Sequence, residues 1–301
     1  MKICFCFAGQ GSQYPLMGKD LYDNDEDIKA LYDAFPDIKE LCFTENELLN
    51  QTAYAQKAIL LTSYAIATVL RKKGIEPEFV NGLSLGEYTA LAFGGVWQIK
   101  DAVQIISKRG TIMQHALPLG TSKMAAIIGL DRDSILNCIK NISGICEIAN
   151  YNCPGQIVIT GTAASVDEAC EKLVAIGAKR AIPLNVSGAF HCSLLKEASL
   201  ELRHILDCYT PAPSSYRVVF NTTGKEQSAP LNDLLQQQIC SSVYFEDSIR
   251  YMLSQGVDTF VEIGPGRALT GFIKKIDRSL SVYTVNDIPS IESCVAGLLH
   301  D

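Results

Sequence analysis

A serine hydroxyl becomes a nucleophile where the backbone exposes it and a base can take its proton, and one stretch of this chain suits the first condition. Gly82-Leu83-Ser84-Leu85-Gly86 stands between the apolar run 78–80 and the helix-like segment 87–93. Glycines two residues before and after the serine permit a tight strand-to-helix turn that lifts the hydroxyl and aims backbone N–H groups nearby. The chemistry this would support is acyl transfer through a covalent serine ester. The pattern alone is weak, since a chain of this length matches it by chance roughly one time in ten. Its surroundings must decide.

A base near neutrality points to histidine, and the chain has only four. His300 sits at the terminus, His204 beside Arg203 on a helix, and His115 near the end of the helix predicted over 100–116. His191 follows Ser187-Gly188-Ala189-Phe190 in a turn just before another helix, a place where loops carry function, and position favours it. No acid is spaced like the third member of a triad. Arg109 could clasp a carboxylate with its planar fork, or be a solvated helix residue beside Lys108. Gly9-Gln10-Gly11 presents backbone N–H groups or is a plain turn, and Gly264-Pro265-Gly266 reads as close strand-to-helix packing. Lys179-Arg180 and Lys274-Lys275 are candidate anion contacts or solvated charge.

Positioning such scattered residues requires a scaffold that gathers loops, and alternating elements provide one. Residues 2–7 form an apolar run entering the loop at 8–13. The stretch 21–50 is charged and mixed, consistent with short surface helices. Residues 54–73 carry Ala58, Leu61, Ala65 and Val69 at helical spacing and stop at Lys73-Gly74, a helix that should pack beneath the turn at 82–86. From 118 the texture changes to strand 123–128, helix 131–141, strand 144–150, strand 156–160, helix 165–176 and strand 179–184. That order is βαββαβ, the ferredoxin-like split motif, with Asn152-Cys153-Pro154-Gly155 as its central turn. We expect an inserted small domain over 121–186 within a larger domain made of 1–120 and 187–301. The rest alternates again: helix 193–206, strand 217–221, helices 232–239 and 245–254, strand 258–263, helix 267–276, strand 281–285 and a last helix to 299. This predicts a mostly parallel sheet covered on both faces, with ligands beyond the carboxyl ends of its strands. The loop at 9–13, the serine turn and the glycine turn at 264–266 all fall at such ends.

Composition excludes several classes. With 301 residues, 48% hydrophobic and 20% charged, the chain is an ordinary globular protein with ample core. No run approaches 18 uninterrupted apolar residues, and the start is too short and poorly flanked for a signal peptide, so no membrane partner is expected and the cytoplasm is the expected location. A net charge of -7 argues against nucleic acid. Eleven cysteines without CxxC pairs read as reduced, mostly buried thiols, and no metal site is expected.

Taken together, seven ordered blocks resemble one family, the malonyl-CoA:acyl-carrier-protein transacylases of fatty-acid synthesis and the acyltransferases of polyketide synthesis. They are FAGQGSQ (7–13), YAQKAIL (54–60), GLSLGEYTAL (82–91), KRGTIMQ (108–114), NCPGQIVITG (152–161), SGAFHCSLL (187–195) and EIGPGRALTGF (262–272). The resemblance implies an α/β-hydrolase-like core with a ferredoxin-like insert. It implies Ser84 as the acylated nucleophile, His191 as its base, and the backbone N–H groups of Gln10 and Leu85 as the oxyanion hole. Arg109 would hold the malonyl carboxylate. A main-chain carbonyl would orient the histidine; within the run Gln236-Gln237-Gln238 the match is Gln238. Gln56, Asn152 and Phe190 match positions lining the substrate site, and the Gly-Ala-Phe-His form is similar to malonyl-selective members. The implied substrate is malonyl-CoA and the implied partner an acyl carrier protein bearing phosphopantetheine, with no permanently bound cofactor and a monomeric enzyme. A discrete polyketide malonyl acyltransferase and an acyl hydrolase on the same scaffold are the alternatives; hydrolytic relatives tend to lack the arginine. Two positions depart from the family: Leu83 where many members carry histidine, and Lys57 where many carry proline.

Overall fold

The computed structural model describes residues 1–299; His300 lies outside the described residues. The chain opens with β1 (Ile3–Phe7), every residue of which is buried. Three short helices follow, α1 (Lys19–Asn24), α2 (Glu26–Asp33) and α3 (Pro36–Phe43). They are the short surface helices expected there, and each keeps one side buried, at Leu21, at Ile28 and Tyr32, and at Ile38: α2 and α3 pack on the long helix α4 (Thr52–Lys72), and α1 packs on α2. Asp25 starts α2 by accepting from the amides of Asp27 and Ile28 at 2.9 and 3.1 Å.

Then come β2 (Phe79–Gly82), α5 (Leu85–Phe93) and α6 (Ile99–His115). α4 packs against both helices, and its buried Ile59, Leu60, Leu61 and Ile66 each contribute about 1.5–3 kcal/mol of apolar burial. The middle of the chain is β3 (Ser122–Ile128), α7 (Arg132–Ile139), β4 (Cys146–Cys153), β5 (Gln156–Thr162), α8 (Ala163–Ala175) and β6 (Arg180–Pro183). Beyond it lie α9 (Lys196–Leu206), β7 (Arg217–Val218), α10 (Leu231–Gln238), α11 (Phe245–Ser254), β8 (Thr259–Ile263), α12 (Ala268–Ile276), β9 (Ser281–Val285) and α13 (Ile288–Leu299). Among the described residues no helix is long and apolar enough to cross a membrane.

Two sheets result. The first has the order β7-β2-β1-β8-β9, all parallel, with helices on both faces. The second has the order β4-β5-β3-β6, all antiparallel, with its own core around Ile127, Ile135, Ile159 and Leu173. That order is the one a βαββαβ split motif produces. β7 is shorter than the strand predicted over 217–221, because the chain leaves the sheet there and Asn221 turns toward the end of β2. The outer edge of β4 does not face solvent throughout: the Tyr151 amide donates to the Val243 carbonyl at 2.9 Å and the Val243 amide to the Ala149 carbonyl at 2.8 Å. The segment after α10 therefore joins the second sheet to the larger body.

Candidate active site

Ser84 sits between β2 and α5 with φ 53° and ψ -101°, a backbone conformation that L-residues rarely adopt. The flanking glycines are required by space. A Cβ on Gly86 would lie 2.1 Å from the Phe7 carbonyl oxygen, and one on Gly82 would lie 2.1 Å from the Gly86 carbonyl carbon. The Ser84 carbonyl accepts from the Glu87 amide at 3.2 Å as α5 begins, and side chains meet both Ser84 peptide groups. Its amide donates to Asn221 Oδ1 at 2.7 Å, and its carbonyl accepts from Gln238 Nε2 at 2.9 Å. Asn221 Nδ2 in turn donates to the Gly82 carbonyl at 2.7 Å.

His191 also holds a positive φ of 59°, with its amide bonded to the Ile239 carbonyl. Its Nε2 is 2.7 Å from Ser84 Oγ, and its Nδ1 is 2.8 Å from the main-chain oxygen of Gln238. A carbonyl can only accept, so Nδ1 carries the proton and Nε2 offers its lone pair to the serine. Of the three successive glutamines, Gln238 makes this contact. Burial pushes the imidazole down to about 4, the Arg109 charge pushes it the same way, and the Gln238 carbonyl opposes them. The ring is a neutral base at ordinary pH.

Arg109 is fully buried, not a solvated helix residue. Its NH2 nitrogen donates to Ser84 Oγ at 3.2 Å and to Gln238 Oε1 at 2.9 Å, while NH1 donates to Gln56 Oε1 at 2.7 Å. The guanidinium carbon lies 4.9 Å from the Tyr88 ring centre, and its Nε–H has no acceptor among the described residues. All its acceptors are neutral. Gln56 passes the network on to Gln10 Oε1 at 3.2 Å, and Gln10 Nε2 donates to Thr52 Oγ1 at 3.0 Å, which pairs with Ser187 Oγ at 3.0 Å. The side chain of Gln10 thus fixes its loop, while the backbone N–H groups of Gln10 and Leu85 donate to no acceptor among the described residues. Leu85 opens α5, where the helix dipole favours negative charge.

A cavity of about 580 Å³ opens over the serine between the two sheets. Ser84, His191, Gln10, Asn152 and Phe190 line it, together with the loop at 9–13 and the turn after β8; Gln56, Arg109, Leu85 and Gln238 lie behind the wall. Asn152 carries a buried Oδ1 without a donor among the described residues. Leu83 also lines the cavity and packs over Gly9, where a Cβ would come within 2.8 Å of the Leu83 oxygen. Lys57 stands away from the site and pairs with Asp37 at 2.7 Å. His115 and His204 are exposed. Lys275 bonds Gln156 at 3.0 Å.

Sequence reasoning missed two residues. Asn221 gave no signal beyond a polar residue ending a strand-like run. Glu87 did give one, being the single charge in an otherwise uncharged, wholly buried helix. One carboxylate oxygen accepts from the Asn221 amide and the other from Gln238 Nε2 at 3.2 Å. Burial pushes this carboxyl up to about 8, against the Asn221 amide, the Arg109 charge and the Gln238 side chain, which favour the ionised form.

The family model described as the acyl transferase domain matches residues 4–299. A malonyl CoA-acyl carrier protein transacylase of Bacillus subtilis (strain 168) is 41% identical over 311 residues, covering 100% of this chain and 98% of that protein. Among solved structures, a malonyl CoA-acyl carrier protein transacylase from Clostridium perfringens superposes with a TM-score of 0.96 at 40% identity, covering 100% of this chain and 98% of that one. The transacylase in a complex of a type II PKS acyl-carrier protein with its malonyl-transacylase superposes with a TM-score of 0.95 at 35% identity, covering 99% and 100%.

Proposed function

The chain belongs to the acyl transferase family, and from that premise we propose that it moves malonyl from malonyl-CoA to the phosphopantetheine thiol of an acyl carrier protein through a malonyl-Ser84 ester. One arrangement carries this reading. A buried guanidinium with only neutral acceptors stands 3.2 Å from the oxygen of a serine that is itself 2.7 Å from a neutral histidine. A nucleophile made for uncharged acyl groups has no use for that cation. An acyl group ending in a carboxylate does.

The steps follow from the geometry. His191 Nε2 takes the Ser84 proton as Oγ attacks the thioester carbonyl, and the negative charge collects on the carbonyl oxygen, facing the Gln10 and Leu85 amides. The C–S bond then breaks, and His191 returns the proton to the departing CoA sulfur. The carrier thiol gives its proton to His191, attacks the ester carbonyl, and Ser84 Oγ leaves with that proton. Arg109 reads the malonyl carboxylate, exchanging a neutral acceptor for an anionic one. Such a charge-assisted pair is worth about 1.5–3 kcal/mol, or about ten- to a hundredfold over acetyl. Asn152 and Phe190 bound the channel for the thioester arm. In this reading 1–120 with 187–301 form the catalytic domain, 121–186 the small domain, and fatty-acid elongation in the cytoplasm is the use.

The test is to incubate the enzyme with malonyl-CoA, add either buffer or holo carrier protein, and follow the intact mass. An adduct on Ser84 that persists in buffer and moves to the carrier is expected. Loss to water in buffer would instead mark a hydrolase, and an adduct that survives Ser84→Ala would place the nucleophile elsewhere.

A further inference from the structure

The cation and the acid beneath the serine do not meet. Arg109 and Glu87 are each fully buried, yet no hydrogen bond joins them among the described residues: the guanidinium donates to Gln56, Gln238 and Ser84, and the Glu87 carboxyl accepts from Asn221 and Gln238. Between them lies the Gln238 side-chain amide. Its oxygen faces Arg109 at 2.9 Å, and its nitrogen faces Glu87 at 3.2 Å and the Ser84 carbonyl at 2.9 Å. Arg109 is donor-only and the Ser84 carbonyl acceptor-only, so both ask for the same orientation of this amide. A Glu87 carboxyl oxygen asks for it too, since by accepting from the Gln238 N–H it leaves the amide oxygen turned to Arg109. Tyr88, from the same helix as Glu87, stands with its ring centre 4.9 Å from the guanidinium carbon.

We propose that Glu87 is a positioning residue for carboxylate selection: by fixing the Gln238 amide it holds Arg109 with a dipole in place of a counter-ion, leaving the cation unneutralised for the acyl carboxylate. A salt bridge in the same place would hold Arg109 equally well but would compete with the substrate. The inference rests on the malonyl-transfer reading above, and deepens it from the residue that touches substrate to the one that sets it.

Four enzymes test it: wild type, Glu87→Gln, Gln238→Met and the double variant that completes the cycle. Gln238→Met keeps the main-chain carbonyl that orients His191. Acylation is followed by intact mass with malonyl-CoA and with acetyl-CoA. Glu87→Gln is expected to lower kcat/KM for malonyl about tenfold, mainly through KM, while acetyl changes less than about twofold. Gln238→Met also removes the donor to the Ser84 carbonyl and so slows both acyl groups, but it is expected to lower the malonyl-to-acetyl ratio about tenfold, and adding Glu87→Gln to it to lower that ratio less than about twofold more. An unchanged malonyl-to-acetyl ratio in Glu87→Gln, or losses that multiply in the double variant, overturns the proposal. Should Glu87→Gln not fold, the ratio in Gln238→Met decides alone, and an intact ratio there overturns it. Failure of the wild type to take malonyl at all would strike the functional reading, a result separate from all of these.

Discussion

His191 works without an acid behind it. In hydrolases that cut amides, a carboxylate supports the imidazolium; here the Gln238 carbonyl does so at 2.8 Å. A thioester explains why this suffices, since a departing thiol of pKa about 8.5 needs far less proton assistance than an amine. The consequence can be read in pH. With its folded value near 4, set by burial and by Arg109, the ring is deprotonated and competent above that value and loses its lone pair below it. Single-turnover acylation by acetyl-CoA, which does not engage Arg109, should be flat from about pH 5 to 8 and fall through about pH 4. A rate that instead climbs through pH 6 to 7 would show an ordinary histidine. His191 was legible in the sequence because it stands in a turn before a helix. Its partner was not, because a main-chain carbonyl leaves no residue type to find; only the family resemblance pointed to Gln238.

At the scale of the element, the serine turn stores strain. Its conformation suits glycine, and the side chains of Asn221 and Gln238 are what keep a serine there. Two variants that both lack the hydroxyl should therefore differ in stability. Ser84→Gly should be more stable than Ser84→Ala by roughly 1 kcal/mol, or about 2–4 °C in Tm, with both unable to form an adduct. Equal melting temperatures would mean that the turn is not strained in solution. The sequence disclosed most elements of this fold by period and by glycine position, as in α4 and in the hairpin of β4 and β5. It failed where a strand ended early. β7 stops at Val218 because Asn221 is needed at the elbow, and a strand propensity of the residues themselves cannot express that demand.

At the scale of the molecule, two sheets share one cavity: the second keeps a core of its own on one face, while Met124, Ala126, Ala149 and Val158 on the other join the core of the larger body. Their junction includes the edge of β4 against Val243, the Ser242 hydroxyl on the Ile148 carbonyl at 2.5 Å, and Arg132 paired with Asp247 at 2.6 Å. The ion pair is about one-third exposed and adds at most about 1 kcal/mol; the backbone bonds at buried Val243 matter more. Hydrogen exchange should accordingly show the Tyr151 and Val243 amides protected together and as strongly as β5. Rapid exchange at both, with β5 protected, would show that the sheets part freely at this edge. The sequence announced two units by its change of texture near 118, yet nothing in it announced this seam, which pairs residues about ninety positions apart.

That seam runs through 238–243, the same few residues whose first carbonyl holds His191. One short stretch thus has two duties, anchoring the base of the Ser84–His191 contact of 2.7 Å and tying the second sheet to the first, so a change made to secure the junction is felt at the histidine as well.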